Sequence, residues 1–221
     1  MEEYGSQHHL NQAIQKDTIW DVFGKEKIDK ESARPSKESM AETSLEKYFS
    51  QRRISSCDGD VLKNWWIPNG GKRPTWDMIV LSKDHSHIFL VEAKAHKYEI
   101  SRQKDKLSEN ASKKKEKNYS SKENCINAEL KDLGGLYTGY YQIANRIAYA
   151  NYVSKHYGLD VTLILLGFVG DTHFKDAYKT KEEFCESIKK AMNALNLKLP
   201  MEKTQENGRR LKIVCESVEL R

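Results

Sequence analysis

The stretch WDMIVLSKDHSHIFLVEAK, residues 76–94, decides the fold. It contains two apolar runs, 76–81 and 88–93, separated by the polar residues 83–86. Both runs have the length of a strand and are rich in β-branched and aromatic residues. The short turn between them is typical of two antiparallel strands. The sequence therefore predicts a β-hairpin between residues 76 and 94.

Three charged residues stand out in this hairpin: Asp77, Glu92 and Lys94. Glu92 and Lys94 are two apart, so on a strand they share a face, and pairing about the 82–87 turn sets Asp77 opposite Glu92. Two facing carboxylates favour a hard divalent cation such as Mg²⁺ between them. Lys94 could then orient an attacking water or stabilise developing charge. The plainer interpretation is a salt bridge between Lys94 and a carboxylate.

Other periodic segments flank the hairpin. Before it we expect a helix over 36–52, a strand over 61–67 and a turn at Pro68-Asn69-Gly70-Gly71. After it we expect a helix over 136–157, a strand over 161–169, a helix over 181–197 and a strand over 211–218. We divide the chain into an N-terminal arm or short helix, 1–35, and a single α/β domain, 36–221.

A basic segment interrupts this pattern at residues 97–133, which we expect to be partly helical and mobile. Within it, residues 97–122 contain nine lysines and arginines and four acids, an excess of five that equals the formal net charge of the whole chain, +5. Such a segment attracts polyanions through counterion release. We expect Lys113, Lys114 and Lys115 to contact nucleic acid; a solvated loop without a partner is the alternative.

The sequence also indicates the compartment. Its four cysteines include no CxxC pair, which argues against a disulfide framework or a cysteine-based zinc site. No apolar run approaches the 18 residues or so of a membrane span, and the first residues lack the basic and apolar regions of a signal peptide. We therefore expect a soluble cytoplasmic protein without a membrane partner.

The spacing of Asp77 and the triplet Glu92-Ala93-Lys94 resembles the PD-(D/E)XK nuclease superfamily over roughly residues 36–170. The resemblance implies a restriction-endonuclease-like three-layer α/β core of order αβββαβ, with a central mixed sheet flanked by helices. It implies that Asp77, Glu92 and the backbone carbonyl of Ala93 bind Mg²⁺, with Mn²⁺ as a substitute, and that Lys94 serves the hydrolytic water. The residue before the aspartate is Trp76 rather than the family's variable proline.

The resemblance extends to residues on two helices. Many members use a glutamate of the first helix as a further catalytic and metal-binding acid, which Glu42 or Glu46 could supply, and we favour Glu42. The helix after the motif often adds polar groups, so Gln142 is a catalytic candidate and Arg146 a candidate phosphate contact. Ordinary solvent-facing side chains are the alternative for all of them.

These observations predict a Mg²⁺-dependent phosphodiesterase that cuts DNA, an endonuclease of restriction or defence type. A homodimer is implied by the resemblance alone. The alternative is a non-catalytic nucleic-acid-binding or interaction subunit with the same fold.

Overall fold

A computed structural model describes residues 5–24, 27–36, 41–52, 59–67, 73–100 and 113–220. In that part of the chain, six strands form a mixed sheet of order β1-β4-β5-β6-β8-β7. The strands are β1 (Ile28–Arg34), β4 (Met78–Ser82), β5 (His87–Lys94), β6 (Asp160–Val169), β7 (Met201–Thr204) and β8 (Arg210–Glu219). A second, two-stranded sheet pairs β2 (Thr43–Ser44) with β3 (Thr75–Trp76).

The helices flank this sheet. They are α1 (Ser6–Gln15), α2 (Leu45–Arg52), α3 (Gly59–Trp66), α4 (Lys113–Asp132), α5 (Tyr141–His156) and α6 (Lys181–Ala194), with 3₁₀ turns at Thr18–Phe23 and Lys97–Glu99. Helices α2, α3, α4, α5 and α6 pack on one face of the sheet in one apolar cluster. Helix α1 and the first 3₁₀ turn pack on the other face in a second cluster. The expected α/β class, with a mixed sheet flanked by helices, is confirmed.

The predicted hairpin is present in the predicted register. Strands β4 and β5 are antiparallel, with Met78 opposite Val91 and Leu81 opposite Ile88. Strand β5 then runs parallel to β6, and β6 runs parallel to β8. The predictions of a buried strand over 161–169, a helix from residue 181 and a final strand over 211–218 are also confirmed.

Three predicted elements differ from the structure. Residues 61–67, predicted as a strand, lie largely in α3, where Leu62 and Trp66 are four apart and buried while Val61 is exposed. That spacing suits a helix that covers a core with one face. The turn predicted at residues 68–71 lies outside the described residues.

The helix predicted over 36–52 begins at Leu45, and the two residues before Leu45 form β2. The helix predicted over 136–157 begins at Tyr141. The residue before it, Tyr140, has a left-handed backbone conformation (φ 53°), which does not fit a regular right-handed helix. Leu136, the first residue of the predicted range, is exposed. The helix ends at His156, close to the predicted end, and Gly158 just beyond it has a left-handed conformation (φ +59°).

Two strands of the six-stranded sheet were not predicted. Strand β1 lies within the segment 1–35, where an arm or short helix was expected, and it pairs with β4 at the edge of the main sheet. Strand β7 pairs with β8 at the opposite edge. The segment 97–133 contains the 20-residue helix α4, whose Ile126 and Leu130 are buried against the main core, so its expected helical part is confirmed.

Candidate active site

Two charged side chains of strand β5, Glu92 and Lys94, lie in the protein interior. The side chains of β5 alternate: Ile88 and Leu90 join the cluster under α5, while Phe89 and Val91 join the opposite cluster. Glu92 and Lys94 continue the first series and therefore point to the α5 side. Both are buried, with exposed fractions of 2% and 5%.

Asp77 lies at the bend between β3 and β4. It follows the last residue of β3 and precedes Met78, whose partner across the hairpin is Val91, so the paired register ends one residue before Asp77 and Glu92. Its Oδ2 accepts a hydrogen bond from the backbone N–H of Ala93, with an N···O distance of 2.7 Å. This bond holds the Asp77 carboxylate at the end of β5.

Glu92 is paired with two cations. Its Oε1 accepts a hydrogen bond from the ammonium of Lys94, and its Oε2 accepts one from Nε of Arg146 on α5. Arg146 also donates to the backbone carbonyl of Thr75, at 2.7 Å, and its guanidinium lies over the ring of Trp76, 4.8 Å from the centroid. Arg146 was expected to contact a phosphate; here it is buried and its donors are directed into the protein.

The charges of this cluster shift the proton equilibria of its carboxyl groups in opposite directions. Burial, reinforced by repulsion from Glu92, raises the pKa of Asp77 to about 8. Burial would also raise the pKa of Glu92, but Arg146 and Lys94 together hold it below its ordinary value. Asp77 is therefore the carboxyl group whose charge changes near neutral pH, and Glu92 stays ionised.

Glu99, which sequence reasoning did not select, closes the cluster on the far side of Lys94. Its Oε2 accepts from the backbone N–H groups of Ala95 and His96, at 2.6 and 2.8 Å, and its Oε1 accepts from the hydroxyl of Ser6 at the start of α1. Together with Glu92 and Asp77, it keeps the pKa of Lys94 above its ordinary value against the effect of burial. No motif in the sequence pointed to this residue.

The first-helix acids lie differently from the prediction. Glu42, the favoured acid, was expected in the first helix, but it precedes that helix and is exposed. Its Oε2 accepts from the hydroxyl of Thr75, at 2.6 Å, and this links it to the cluster through the Thr75 carbonyl that Arg146 contacts. Glu46 is buried, and its Oε1 accepts from the hydroxyl of Tyr149 at 3.4 Å.

The remaining candidates lie at the surface or outside the described side chains. Gln142 is exposed in the first turn of α5, one turn before the buried Arg146. Lys113, Lys114 and Lys115 form the start of α4, and their side chains lie outside the described part of the structure.

A cavity of about 600 Å³ lies away from this cluster. It lies beside α1 and the ends of β6 and β8, where Nε2 of His9 lies 2.9 Å from Oδ2 of the buried Asp171. Asp77, Glu92 and Lys94 do not line it. This cavity and the charged cluster of Asp77, Glu92 and Lys94 therefore lie in different parts of the fold.

Comparison of the chain with protein-family models, with curated proteins and with solved structures found no match. Among the described helices, none is long and apolar enough to cross a membrane. Within the same residues, no group of three or more histidine, cysteine, aspartate and glutamate side chains is arranged to hold a metal ion.

Proposed function

We propose that the protein is a metal-dependent nuclease that hydrolyses phosphodiester bonds of DNA, an endonuclease of restriction or defence type. The observation that supports the proposal most directly is the meeting of the Asp77 carboxylate with Glu92 and Lys94 at one end of a buried strand. In the PD-(D/E)XK nucleases that the sequence resembles, an acid pair and a lysine are the groups that serve metal-assisted phosphodiester hydrolysis.

The donor set suits Mg²⁺. The carboxylates of Asp77 and Glu92 and the carbonyl of Ala93 are hard oxygen ligands, and Mg²⁺ takes one or two protein carboxylates and keeps several waters. Burial and the neighbouring Glu92 raise the pKa of Asp77, so a cation bound beside it would favour the ionised carboxylate. These three groups would hold the ion, with Mn²⁺ as a substitute. The bound ion would supply a more acidic water and charge neutralisation at the phosphoryl oxygens.

The protein's own groups have separable tasks. Lys94, held by Glu92, is positioned to orient a water by hydrogen bonding or to stabilise negative charge on an oxygen of the phosphate. Arg146 fixes the second oxygen of Glu92 and ties α5 to the backbone at Thr75. We assign Arg146 a positioning role, since its donors are directed to protein groups. Glu42 and Gln142 lie at the surface, where they could contact substrate at the rim.

DNA is proposed as the substrate because of the charge distribution. The basic residues of 97–122 and the start of α4 at Lys113 place the excess positive charge of the sequence in one segment. Such charge binds the phosphate backbone without regard to sequence. A cytoplasmic location and a homodimer that cuts both strands belong to the same proposal.

One observation favours the alternative, a non-catalytic nucleic-acid-binding or interaction subunit. Both oxygens of Glu92 are paired with cations, and with Asp77 ionised the four charges of Asp77, Glu92, Lys94 and Arg146 cancel. A closed cluster of this kind can serve as an internal ion-pair network that fixes α5 against the sheet.

A plasmid-nicking assay separates the two functions. The purified protein is incubated with supercoiled plasmid in Mg²⁺, in Mn²⁺ and in EDTA, while binding of a labelled duplex is measured in parallel. The nuclease proposal expects relaxed or linear plasmid with either metal and none in EDTA. Binding without cutting in both metals would favour the non-catalytic nucleic-acid-binding subunit, and neither binding nor cutting would contradict both nucleic-acid functions.

A further inference from the structure

Two thiols meet between α6 and β8, away from the charged cluster. Sγ of Cys185 on α6 lies 2.7 Å from Sγ of Cys215 on β8. Both are free thiols and both are half-buried, so neither is sealed from small reagents. They are 30 residues apart in the chain, and they meet because the helix packs across the strand.

Close packing holds this contact in place. Phe184, the residue before Cys185, is fully buried over Gly167 of the neighbouring strand β6, where a Cβ atom would lie 2.4 Å from the phenylalanine ring. Only glycine allows the helix so near the sheet. An ion pair of 3.2 Å between Lys181 and Glu216 joins the same two elements one turn away. The thiols are therefore kept together by the fold and not by one rotamer.

We propose that Cys185 and Cys215 are a modification site that forms an intramolecular disulfide when the protein meets a low-molecular-weight disulfide such as oxidised glutathione. The thiolate of one cysteine attacks a sulfur of the reagent, forms a mixed disulfide and expels one thiolate. The second cysteine attacks the protein sulfur of that mixed disulfide and expels the other thiolate. The protein pair loses two electrons, the reagent gains them, and the two thiol protons go to the two leaving thiolates.

The order of the attacks follows from the surroundings of Cys215. Burial, together with the adjacent Cys185 thiol, raises the pKa of Cys215. A thiol that stays protonated at neutral pH attacks an external disulfide slowly. Cys185 therefore reacts first, and Cys215 makes the second attack, in which the partner sulfur is already in contact with it.

The cross-link would tie α6 to the row of the sheet that contains Glu92. Across the parallel strands, Glu92 pairs with Leu165 and Leu165 pairs with Cys215. At about 4.8 Å between strands, Cys215 lies roughly 10 Å from Glu92 along this row. The disulfide would close a loop that contains most of α6, β7 and half of β8, and it should raise the melting temperature by about 5–10 °C.

The test uses the full chain, oxidised with glutathione disulfide, alkylated with iodoacetamide and mapped by peptide mass spectrometry. The expected result is one cross-linked peptide pair that joins Cys185 to Cys215, a higher melting temperature, and reversal of both by dithiothreitol. Cys185→Ser and Cys215→Ser should each abolish the rise, and the matched control Cys125→Ser should keep it. Because the peptide map is made on the wild-type chain, it stays decisive even if a variant folds poorly.

Three results would overturn the proposal. The first is full alkylation of both cysteines in the folded protein after oxidation. The second is a pair of separate mixed disulfides with glutathione, and the third is a cross-link between two chains in place of the internal one.

Discussion

The carboxylate of Asp77 accepts a hydrogen bond of 2.7 Å from the backbone N–H of Ala93, the residue between Glu92 and Lys94. This single bond joins the bend before β4 to the end of β5. It brings the Asp77 carboxylate next to that of Glu92, and burial together with this repulsion raises the pKa of Asp77 to about 8. The stability and the proposed chemistry of the site both depend on this arrangement.

The first prediction concerns pH. Because the pKa of Asp77 is raised in the folded protein, its contribution to stability is full below about pH 4 and is lost as the pH rises to about 8. Asp77→Asn should remove this dependence. Urea unfolding in EDTA at several pH values should show wild type losing stability relative to Asp77→Asn, by at most about 1.4 kcal/mol per pH unit.

The comparison has an internal control, since every other titrating group is common to both proteins. The amide oxygen introduced by Asp77→Asn can still accept the hydrogen bond from Ala93, so the variant is expected to fold. A difference in stability that stays constant from pH 4 to 8 would show that the pKa of Asp77 is not raised.

The second prediction concerns the ion pair between Glu92 and Arg146. Glu92→Gln leaves the buried Arg146 without its carboxylate partner, and Arg146→Met leaves the buried Glu92 with Lys94 alone, so each should cost about 3 kcal/mol of unfolding free energy. The double variant should cost less than the sum, with a coupling of about 1 kcal/mol or more. Urea unfolding of wild type, the two single variants and the double variant measures this coupling energy.

A surface pair supplies the matched control. Lys212 and Glu202 join β8 to β7 with an N···O distance of 3.8 Å and exposed side chains. The same double-mutant cycle there, Lys212→Met with Glu202→Gln, should give a coupling near zero because solvent screens the pair. Equal couplings at the two pairs would mean that the buried network does not have the strength assigned to it.

The third prediction concerns metal binding. A ligand present at 100 times its dissociation constant stabilises the folded state by about 2.7 kcal/mol, which for a chain of this size raises the melting temperature by about 5–10 °C. Saturating Mg²⁺ should produce this rise in wild type and little of it in Asp77→Asn. Differential scanning calorimetry with Mg²⁺ and with EDTA measures it.

Asp21→Asn is the control for the removal of one acid, because Asp21 is exposed beside the large cavity and away from the cluster. It should keep the full response to Mg²⁺. An equal response in Asp77→Asn and wild type would exclude Asp77 as a ligand.

The fourth prediction concerns the basic segment. Neutralising Lys113, Lys114 and Lys115 to glutamine should weaken DNA binding regardless of sequence and reduce the slope of log affinity against log salt by about 1–3. Fluorescence anisotropy of a labelled duplex at several salt concentrations measures this slope. Neutralising the exposed lysines Lys189, Lys190 and Lys198 should leave it unchanged. An unchanged slope in the first variant would remove the start of α4 from the interface.

The sequence predicted the hairpin and its register because the pattern there is local. The two strands have alternating side chains, a short polar turn between them and charges at one strand end. Together these features allow only one register between the strands. It failed at residues 61–67, because a short apolar run fits a strand or a buried helix and only packing decides between them. It also missed β1, whose polar sequence IDKESAR pairs at a sheet edge and has no clear strand pattern.

The charged cluster was predicted only in part, for a similar reason. Asp77, Glu92 and Lys94 belong to the hairpin, so register brings them together. The role of Arg146 depends on how α5 packs: Gln142 and Arg146 are four apart on that helix, yet one is exposed and the other is buried on Glu92. Glu99 enters through a 3₁₀ turn whose position no sequence pattern indicated.

The most direct test of the proposed function is the cleavage rate of a labelled DNA duplex in Mg²⁺ by wild type, Lys94→Gln and the surface control Lys189→Gln, with binding measured on the same samples. Lys94 contacts Glu92 and lies beside Asp77, so its loss should slow cleavage by about 100-fold or more while the variant still binds DNA. Lys189→Gln should cut at the wild-type rate. Equal cleavage by Lys94→Gln and wild type, or no cleavage by wild type with either Mg²⁺ or Mn²⁺, would contradict the assignment of this cluster as a nuclease site.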